Sequence, residues 1–397
     1  MDYIWILLII YITFLGIKVS TKINYKNFKL IELLKGLDKE GLFLSLGTKI
    51  GVGSIIGTAI SIYIGGPGTL FWIWLFTFLT SSLIYAESYL GSKYKKKEKK
   101  QILSGPYFYT YFGLNNKILA IIITILLVLT YSHFFLMIQT NTVYEMLKIN
   151  KYVIAIIIFA FLFLTLTLNI KNIINSLSKL VPIMCVIYLI SGLYIIINNI
   201  ELMPNIFLLI IKDAFTQKSI FTGAILGIKR CIFQEELLIG TTSISSGLNE
   251  MPSDKVANTQ TIGAYFINFI VATITAILII IYLNNGNNVD GSYNDLLISV
   301  YSYHLGNIGV LILILEIILF SVTTILSGFY IGTSIISYFS KNKIVIFIIK
   351  ASMLIFSILG IFLDTKSIWL IIDIIMFIII IFNSYIITKL KGEVYDK

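Results

Sequence analysis

Two adjacent carboxylates, Glu235 and Glu236, stand in the hydrophobic run RCIFQEELLIG, which opens with Arg230. A charge at mid-bilayer depth costs about 2.5–3.5 kcal/mol even on insertion scales, so ionisable groups there are candidates for handling an ion or a proton. Neighbouring carboxylates disfavour simultaneous ionisation. One is then protonated over part of the physiological range, or held ionised by Arg230 or a bound cation. On a regular helix the two would point about 100° apart, whereas at a break both could face one cavity. Glu235 is read as the group that coordinates a cation or carries a proton. For Glu236 that role and a structural pairing with Arg230 both stand. Lys49 is a further intramembrane charge, about seven residues from the inner interface, where a cavity role and snorkelling are both open. Glu87 reads as a cap on interhelix packing, and His133 and His304 as satisfied polar residues.

These residues do not make an enzyme. The sequence shows no nucleotide-binding loop, no nucleophile–base constellation and no His/Cys/carboxylate cluster at metal spacing. Cys185 and Cys231 lie in apolar surroundings and suggest no disulfide.

The element that must position this chemistry is residues 47–74, GTKIGVGSIIGTAISIYIGGPGTLFWIW. It is hydrophobic enough for a bilayer, yet Gly51, Gly53 and Gly57 break it near its middle. Glycines also allow close helix packing. A second interrupted segment around 230–240 favours the other reading, because paired broken helices point to a transporter's binding site.

The surroundings are those of a polytopic membrane protein: 57% of the 397 residues are hydrophobic and 13% charged, with a mean hydropathy of +0.92. The net charge of +10 reflects topology, not nucleic-acid binding, since the lysines fall in alternate loops. About eleven transmembrane helices are expected, near 3–19, 42–65, 69–92, 117–146, 151–169, 178–198, 217–247, 257–283, 307–338, 344–363 and 367–389. Residues 105–114 read as an interfacial stretch, 284–297 as an outer loop without lysine or arginine, and Lys171 and Lys179 as marking a short inner loop. Inner ends are marked by Lys18, Lys22, Lys26, Lys29, Lys35 and Lys39, by the lysines of 93–100, and by Lys341, Lys343, Lys389 and Lys391. The N-terminus is then outside and the C-terminus cytoplasmic, in a multi-pass protein of the cell membrane. The chain reads as one transporter domain: a lone N-terminal helix, a first repeat over about 42–198 and a second over about 217–389. Broken helices near 47–57 and 230–240 would be the first members of two inverted groups of five.

With both stretches in view, the chain resembles the sodium:alanine symporter family, the alanine or glycine:cation symporters. The family's G-T-x-G-x-G-N-I-x-G and G-G-P-G-A-x-F-W-x-W are matched by Gly51, Gly53, Ile55 and Gly57, by Gly65-Gly66-Pro67-Gly68, and by Phe71-Trp72 and Trp74, followed by Ala86-Glu87. Its R-G-x-F-S-N-E-A-G-x-G is similar to the run from Arg230 to Gly240, and its F-A-F-S-T-I-L-G-W-x-Y-Y-G to Phe320 through Gly332. Gln139 with Asn141, Val181-Pro182 with Met184, and Asp373 are further echoes. The resemblance implies an all-α, leucine-transporter-like fold of five plus five helices with alternating access. It implies sodium-driven import of a small neutral amino acid, with the bilayer as surroundings and no cofactor beyond the coupling ion. Substrate contacts would come from Gly51, Val52, Gly53, Ser54, Gln139, Phe233 and Glu235. Sodium would bind carbonyls of Gly47 and Ile50 and hydroxyls of Thr323 and Thr324. Coupling candidates are Glu235, Glu236, Arg230 and Lys49.

The sequence departs from the family at Ser54 and Glu235, where the family has asparagines, at Leu237 and Leu238, which replace small residues, and at Lys49. These departures keep two other readings open: proton coupling through Glu235 and Glu236, and an amino-acid sensor that does not transport. The oligomeric state is not legible.

Overall fold

A computed structural model of the chain describes residues 2–23, 37–98, 101–166, 170–248, 250–287, 292–340 and 342–395. Several of the lysines read as inner markers, namely Lys26, Lys29, Lys35, Lys99, Lys100 and Lys341, lie outside the described residues.

Helices account for nearly all of the described structure. The principal ones, in chain order, are α1 (Asp2–Ser20), α2 (Lys39–Lys49), α3 (Val52–Gly65), α4 (Thr69–Lys93), α5 (Lys117–Leu147), α6 (Lys151–Leu166), α7 (Ile170–Asn198), α8 (Met203–Ala214), α9 (Ala224–Glu235), α10 (Thr241–Ser245), α11 (Ser253–Asn284), α12 (Tyr293–Phe339), α13 (Lys343–Phe362) and α14 (Thr365–Leu390). Among the described residues eight helices are long and apolar enough to cross a membrane, or nine if the bent pair α2–α3 is one span. This is a multi-pass membrane protein.

The structure refines several boundaries. Helix α7 begins at Ile170, so Lys171 and Lys179 are helical and not in a loop. The expected outer loop becomes helix from Tyr293, started by a capping box in which Ser292 and Asp295 satisfy each other's backbone amides. That helix turns at Gly306 (φ 63°) into the longer apolar stretch, close to where the ninth span was expected. Helix α8 was not anticipated: Met203, Ile206, Ile210 and Ala214 bury one face of it. A two-stranded hairpin, β1 (Lys96–Glu98) with β2 (Gln101–Leu103), is a small departure from an all-helical chain. The stretch taken as interfacial is partly core, since Tyr107, Phe108, Tyr109 and Thr110 are buried.

Packing around the broken helix decides what it can present. The turn after α3 is locked by α8: Gly68 N–H donates to Asp213 Oδ2 at 2.8 Å and Trp72 Nε1–H to the Ala214 carbonyl at 3.0 Å. A Cβ at Gly68 would come within 2.2 Å of Ala214 N, so only glycine lets α8 approach this closely. Helices α7 and α12 pack on α2, while α9, α11 and α12 pack on α3. Helix α1 crosses α4 at Gly16, whose carbonyl accepts from Ser82 Oγ at 2.7 Å.

Candidate functional site

The first break is a real interruption of hydrogen bonding. Helix α2 ends at Lys49, Gly51 takes an extended backbone (φ −102°, ψ 175°) and α3 starts at Val52, with a bend of 47° between the two. Backbone groups freed inside an apolar protein need new partners, and side chains of neighbouring helices supply them. Thr324 Oγ1 donates to the Gly47 carbonyl at 3.2 Å, and Tyr131 OH to the Thr48 carbonyl at 3.1 Å. Val52 N–H donates to Gln139 Oε1 at 3.1 Å. Ser54 caps its own turn, with Oγ donating to the Gly51 carbonyl at 2.6 Å.

An amide oxygen thus sits at the positive end of α3, where a ligand carboxylate would find bare N–H groups. A Cβ at Gly51 would approach Thr324 Oγ1 to 2.7 Å, and one at Gly53 would approach Phe233 Cε1 to 2.2 Å. The Phe233 ring lies 4.4 Å from that of Phe135 and 5.0 Å from that of Trp369. Gly51, Val52, Gly53, Ser54, Gln139 and Phe233 therefore gather at one place.

Of the four cation candidates, the structure brings Gly47 and Thr324 together, with Ile50 capping the end of the same helix. It directs Thr323 elsewhere: that hydroxyl donates to the Leu319 and Phe320 carbonyls of its own helix, both at 3.1 Å, and to Met184 Sδ at 3.3 Å. A hydroxyl bonded back to its own helix is the ordinary state of threonine in apolar helices.

The second break is a helix end with a Schellman cap. Leu237 N–H bonds the Ile232 carbonyl and Glu236 N–H the Phe233 carbonyl. Glu236 (φ 55°), Leu238 (φ 59°) and Gly240 (φ 104°) all take left-handed backbone before α10. For the leucine that conformation costs roughly 1–2 kcal/mol.

Here the charge pairing differs from expectation. Arg230 does not reach Glu236. Its Nη2 binds both oxygens of Asp373 at 3.0 and 3.1 Å, its Cζ lies 3.9 Å above the Trp369 ring, and Lys229 Nζ shares Asp373 at 2.7 Å. Nor does Glu235 join the first break. Its Oε1 accepts from Thr77 Oγ1 at 2.6 Å, from Cys231 Sγ at 3.1 Å and from Asn268 Nδ2. Glu236 Oε2 accepts from Thr48 Oγ1 at 2.9 Å and Thr241 Oγ1 at 2.5 Å, tying the second break to the first. Lys49 is 1% exposed and so does not snorkel. Glu87 accepts from Asn383 Nδ2 at 3.0 Å and from Ser243 N–H at 3.4 Å, which places it against α10. His133 bonds Ser352 and the Val128 carbonyl, and His304 the Leu278 carbonyl, as polar residues satisfied in place.

Sequence reasoning missed Thr77, Asn268 and Glu316. Glu316 is buried and accepts from Ser191 Oγ at 2.7 Å and Tyr301 OH at 2.9 Å. Its signal was available, a carboxylate inside an apolar span. The Asp373 pairing gives a stability prediction. Asp373→Asn removes the carboxylate that Arg230 and Lys229 share and should cost about 3–5 kcal/mol, read as a lower midpoint of thermal unfolding in detergent. An unchanged midpoint would mean that these cations are held by other groups.

Two broken helices, one offering amides and the other buried carboxylates, with hydroxyls on the freed carbonyls, form a constellation suited to binding and not to bond-making. The sequence matches the sodium:alanine symporter family over residues 7–397. The chain belongs to that family. It is a cation-coupled carrier, not an enzyme. It is 25% identical over 418 residues to the amino-acid carrier protein AlsT of Bacillus subtilis, covering 99% of this chain and 89% of that protein. It is 24% identical to the probable sodium/glutamine symporter GlnT of the same organism, covering 99% and 87%. It is 30% identical over 263 residues to a sodium/proton-dependent alanine carrier protein of Bacillus sp. (strain PS3), covering 61% and 56%.

Proposed function

We propose that this symporter imports a small neutral amino acid such as alanine or glycine, driven by sodium, through alternating access. The observation that carries the reading is the break at Gly51. The α3 amide terminus is met by an exchangeable side-chain oxygen from Gln139, and Phe233 covers the bare backbone of Gly53. The substrate carboxylate takes the place of the Gln139 oxygen at Val52 N–H, and the Phe233 ring, held by Phe135 and Trp369, limits the substrate to a small side chain. Sodium takes the carbonyls of Gly47 and Ile50 with the Thr324 hydroxyl. Thr323 joins only if its hydroxyl leaves its own helix.

The architecture in this reading is eleven spans, N-terminus outside and C-terminus cytoplasmic. One N-terminal helix precedes two inverted groups of five, over about 42–198 and 217–389, in a single leucine-transporter-like domain of the cell membrane. The Schellman end of α9 and the bend at Gly51 are the paired interruptions such a repeat requires.

A second reading has a specific observation behind it. The carrier of Bacillus sp. (strain PS3) is named sodium/proton-dependent, and Glu235 and Glu236 are buried carboxylates at the second break, Glu236 tied to the first through Thr48. Uptake by reconstituted vesicles under separately imposed sodium and pH gradients decides between them, with alanine, glycine and glutamine as test substrates. The sodium reading expects uptake of alanine or glycine under the sodium gradient alone. Uptake only under the pH gradient would transfer coupling to the carboxylates.

A further inference from the structure

Glu316 is fully buried in α12 and takes part in neither break. Both of its oxygens meet hydroxyls: Oε1 lies 2.7 Å from Ser191 Oγ on α7, and Oε2 lies 2.9 Å from Tyr301 OH. Among the described residues no lysine, arginine or histidine pairs with it. An ionised carboxylate in such a place is an uncompensated buried charge, among the costliest groups a fold can hold. The hydrogens point the same way. Ser191 Oγ also lies 3.0 Å from the Tyr188 carbonyl, a group that only accepts, and a hydroxyl has one hydrogen to give. With that hydrogen on the carbonyl, the one in the 2.7 Å contact comes from Glu316. A neutral carboxylic acid then satisfies every atom: Oε1–H donates to Ser191, and Oε2 accepts from Tyr301.

Tyr301 belongs to an arm, residues 293–305, that precedes the turn at Gly306. The backbone of Gly306 (φ 63°, ψ −150°) is one that only glycine adopts readily. The arm folds back so tightly there that a Cβ at Gly309 would stand 2.3 Å from the Tyr301 carbonyl oxygen. It touches the ends of three other helices. Tyr293 meets the Tyr63 ring of α3 at 6.4 Å, Asp295 pairs with Lys148 just past α5 at 2.7 Å, and His304 Nε2 bonds the Leu278 carbonyl of α11 at 3.3 Å. Helices α3 and α5 carry Val52 and Gln139, so the arm covers the far ends of the helices that meet at the first break. We propose that Glu316 is a proton-binding site that latches this arm. Protonated, it holds Tyr301 with no buried charge; deprotonated, its carboxylate reaches water only when the arm lifts about Gly306. The closed form binds the proton, so rising pH opens the arm. The titratable groups facing the site are Tyr188 of α7 and Tyr301. Around the arm stand Tyr63 of α3, Glu145 and Lys148 beside Asp295, Tyr282 of α11 against Tyr303, Tyr293, and His304. What the arm does for transport, and that it faces outside, rest on the carrier reading and its topology; the proton site rests on neither.

The test is hydrogen exchange of the arm's amides in the purified full chain in detergent, read by mass spectrometry and corrected for the intrinsic pH dependence of exchange. It runs over about pH 5 to 9, which brackets carboxyl titration in folded proteins. In the wild type, protection of residues 293–305 should fall at least about tenfold across that range, and no more than about tenfold per pH unit, the limit for one linked proton. One component of the protonated-carboxyl infrared band should disappear in step. Glu316→Gln keeps a donor for Ser191 and an acceptor for Tyr301, so its arm should stay protected at every pH, without that component. His304→Gln should retain the wild-type response. Should Glu316→Gln not fold, Tyr301→Phe carries the test: its arm should exchange fast at every pH while the carboxyl component persists at low pH, a combination that general destabilisation does not give. Arm protection that ignores pH in the wild type would make Glu316 a structural acid and overturn the proposal. A wild-type pH response in Glu316→Gln or Tyr301→Phe, or its loss in His304→Gln, would overturn it equally. Failure of the chain to accumulate any amino acid would count against the carrier reading and leave these results standing.

Discussion

Gly53→Leu is expected to abolish uptake while leaving membrane insertion and expression intact. Leucine is a good helix former and an apolar residue, so neither α3 nor the span is harmed by propensity. The harm is local. The first carbon of any side chain at this position would stand 2.2 Å from Phe233 Cε1, far inside van der Waals contact. Phe233 has little room to withdraw, because Phe135 and Trp369 flank it at 4.4 and 5.0 Å between ring centroids. A leucine also covers the amides that the substrate carboxylate needs. Uptake should fall about a hundredfold or more, equivalent to about 2.8 kcal/mol. The double variant Gly53→Leu, Phe233→Ala should recover part of it, as relief of crowding predicts and misfolding does not. Wild-type uptake by well-expressed Gly53→Leu would remove the break from the substrate path.

The second large effect separates two neighbouring hydroxyls. Thr324→Val keeps volume and removes the oxygen that reaches the Gly47 carbonyl at 3.2 Å. It should raise the half-saturating sodium concentration for uptake by about tenfold, equivalent to about 1.4 kcal/mol. Thr323→Val should change it by less than about threefold, because that hydroxyl is engaged with Leu319, Phe320 and Met184. Sodium titration of uptake at saturating substrate measures both. Equal effects would mean that the ion-bound arrangement turns Thr323 inward, and no effect from either would remove sodium from this helix.

Comparison of sequence with structure shows what kind of information each feature carries. The break at Gly51 was legible because three glycines in an apolar run conflict with a continuous helix, and the structure interrupts the helix there. The second interruption was legible from its charges, and the chain ends a helix at Glu235. The partners of those charges were not legible. Arg230 finds Asp373, 143 residues away, and Glu235 finds Thr77 and Asn268, 158 and 33 residues away. A lone threonine or asparagine in an apolar helix carries no mark that distinguishes a ligand-holder from a packing residue. Helix α8 had its signal in Met203, Ile206, Ile210 and Ala214, but at 12 residues it is too short to stand out among long apolar runs. Lys171 and Lys179 read as marking a loop, yet both lie on helix α7, because the apolar residues around them sustain the helix through the charges.

A cation gradient, in this proposal, drives substrate past the two breaks. This is tested most directly by following labelled alanine into vesicles containing the purified chain, with sodium imposed outside and pH clamped. Accumulation above the external concentration is expected, with collapse when an ionophore dissipates the sodium gradient. Binding of alanine to the purified chain with no accumulation under any imposed gradient would contradict it.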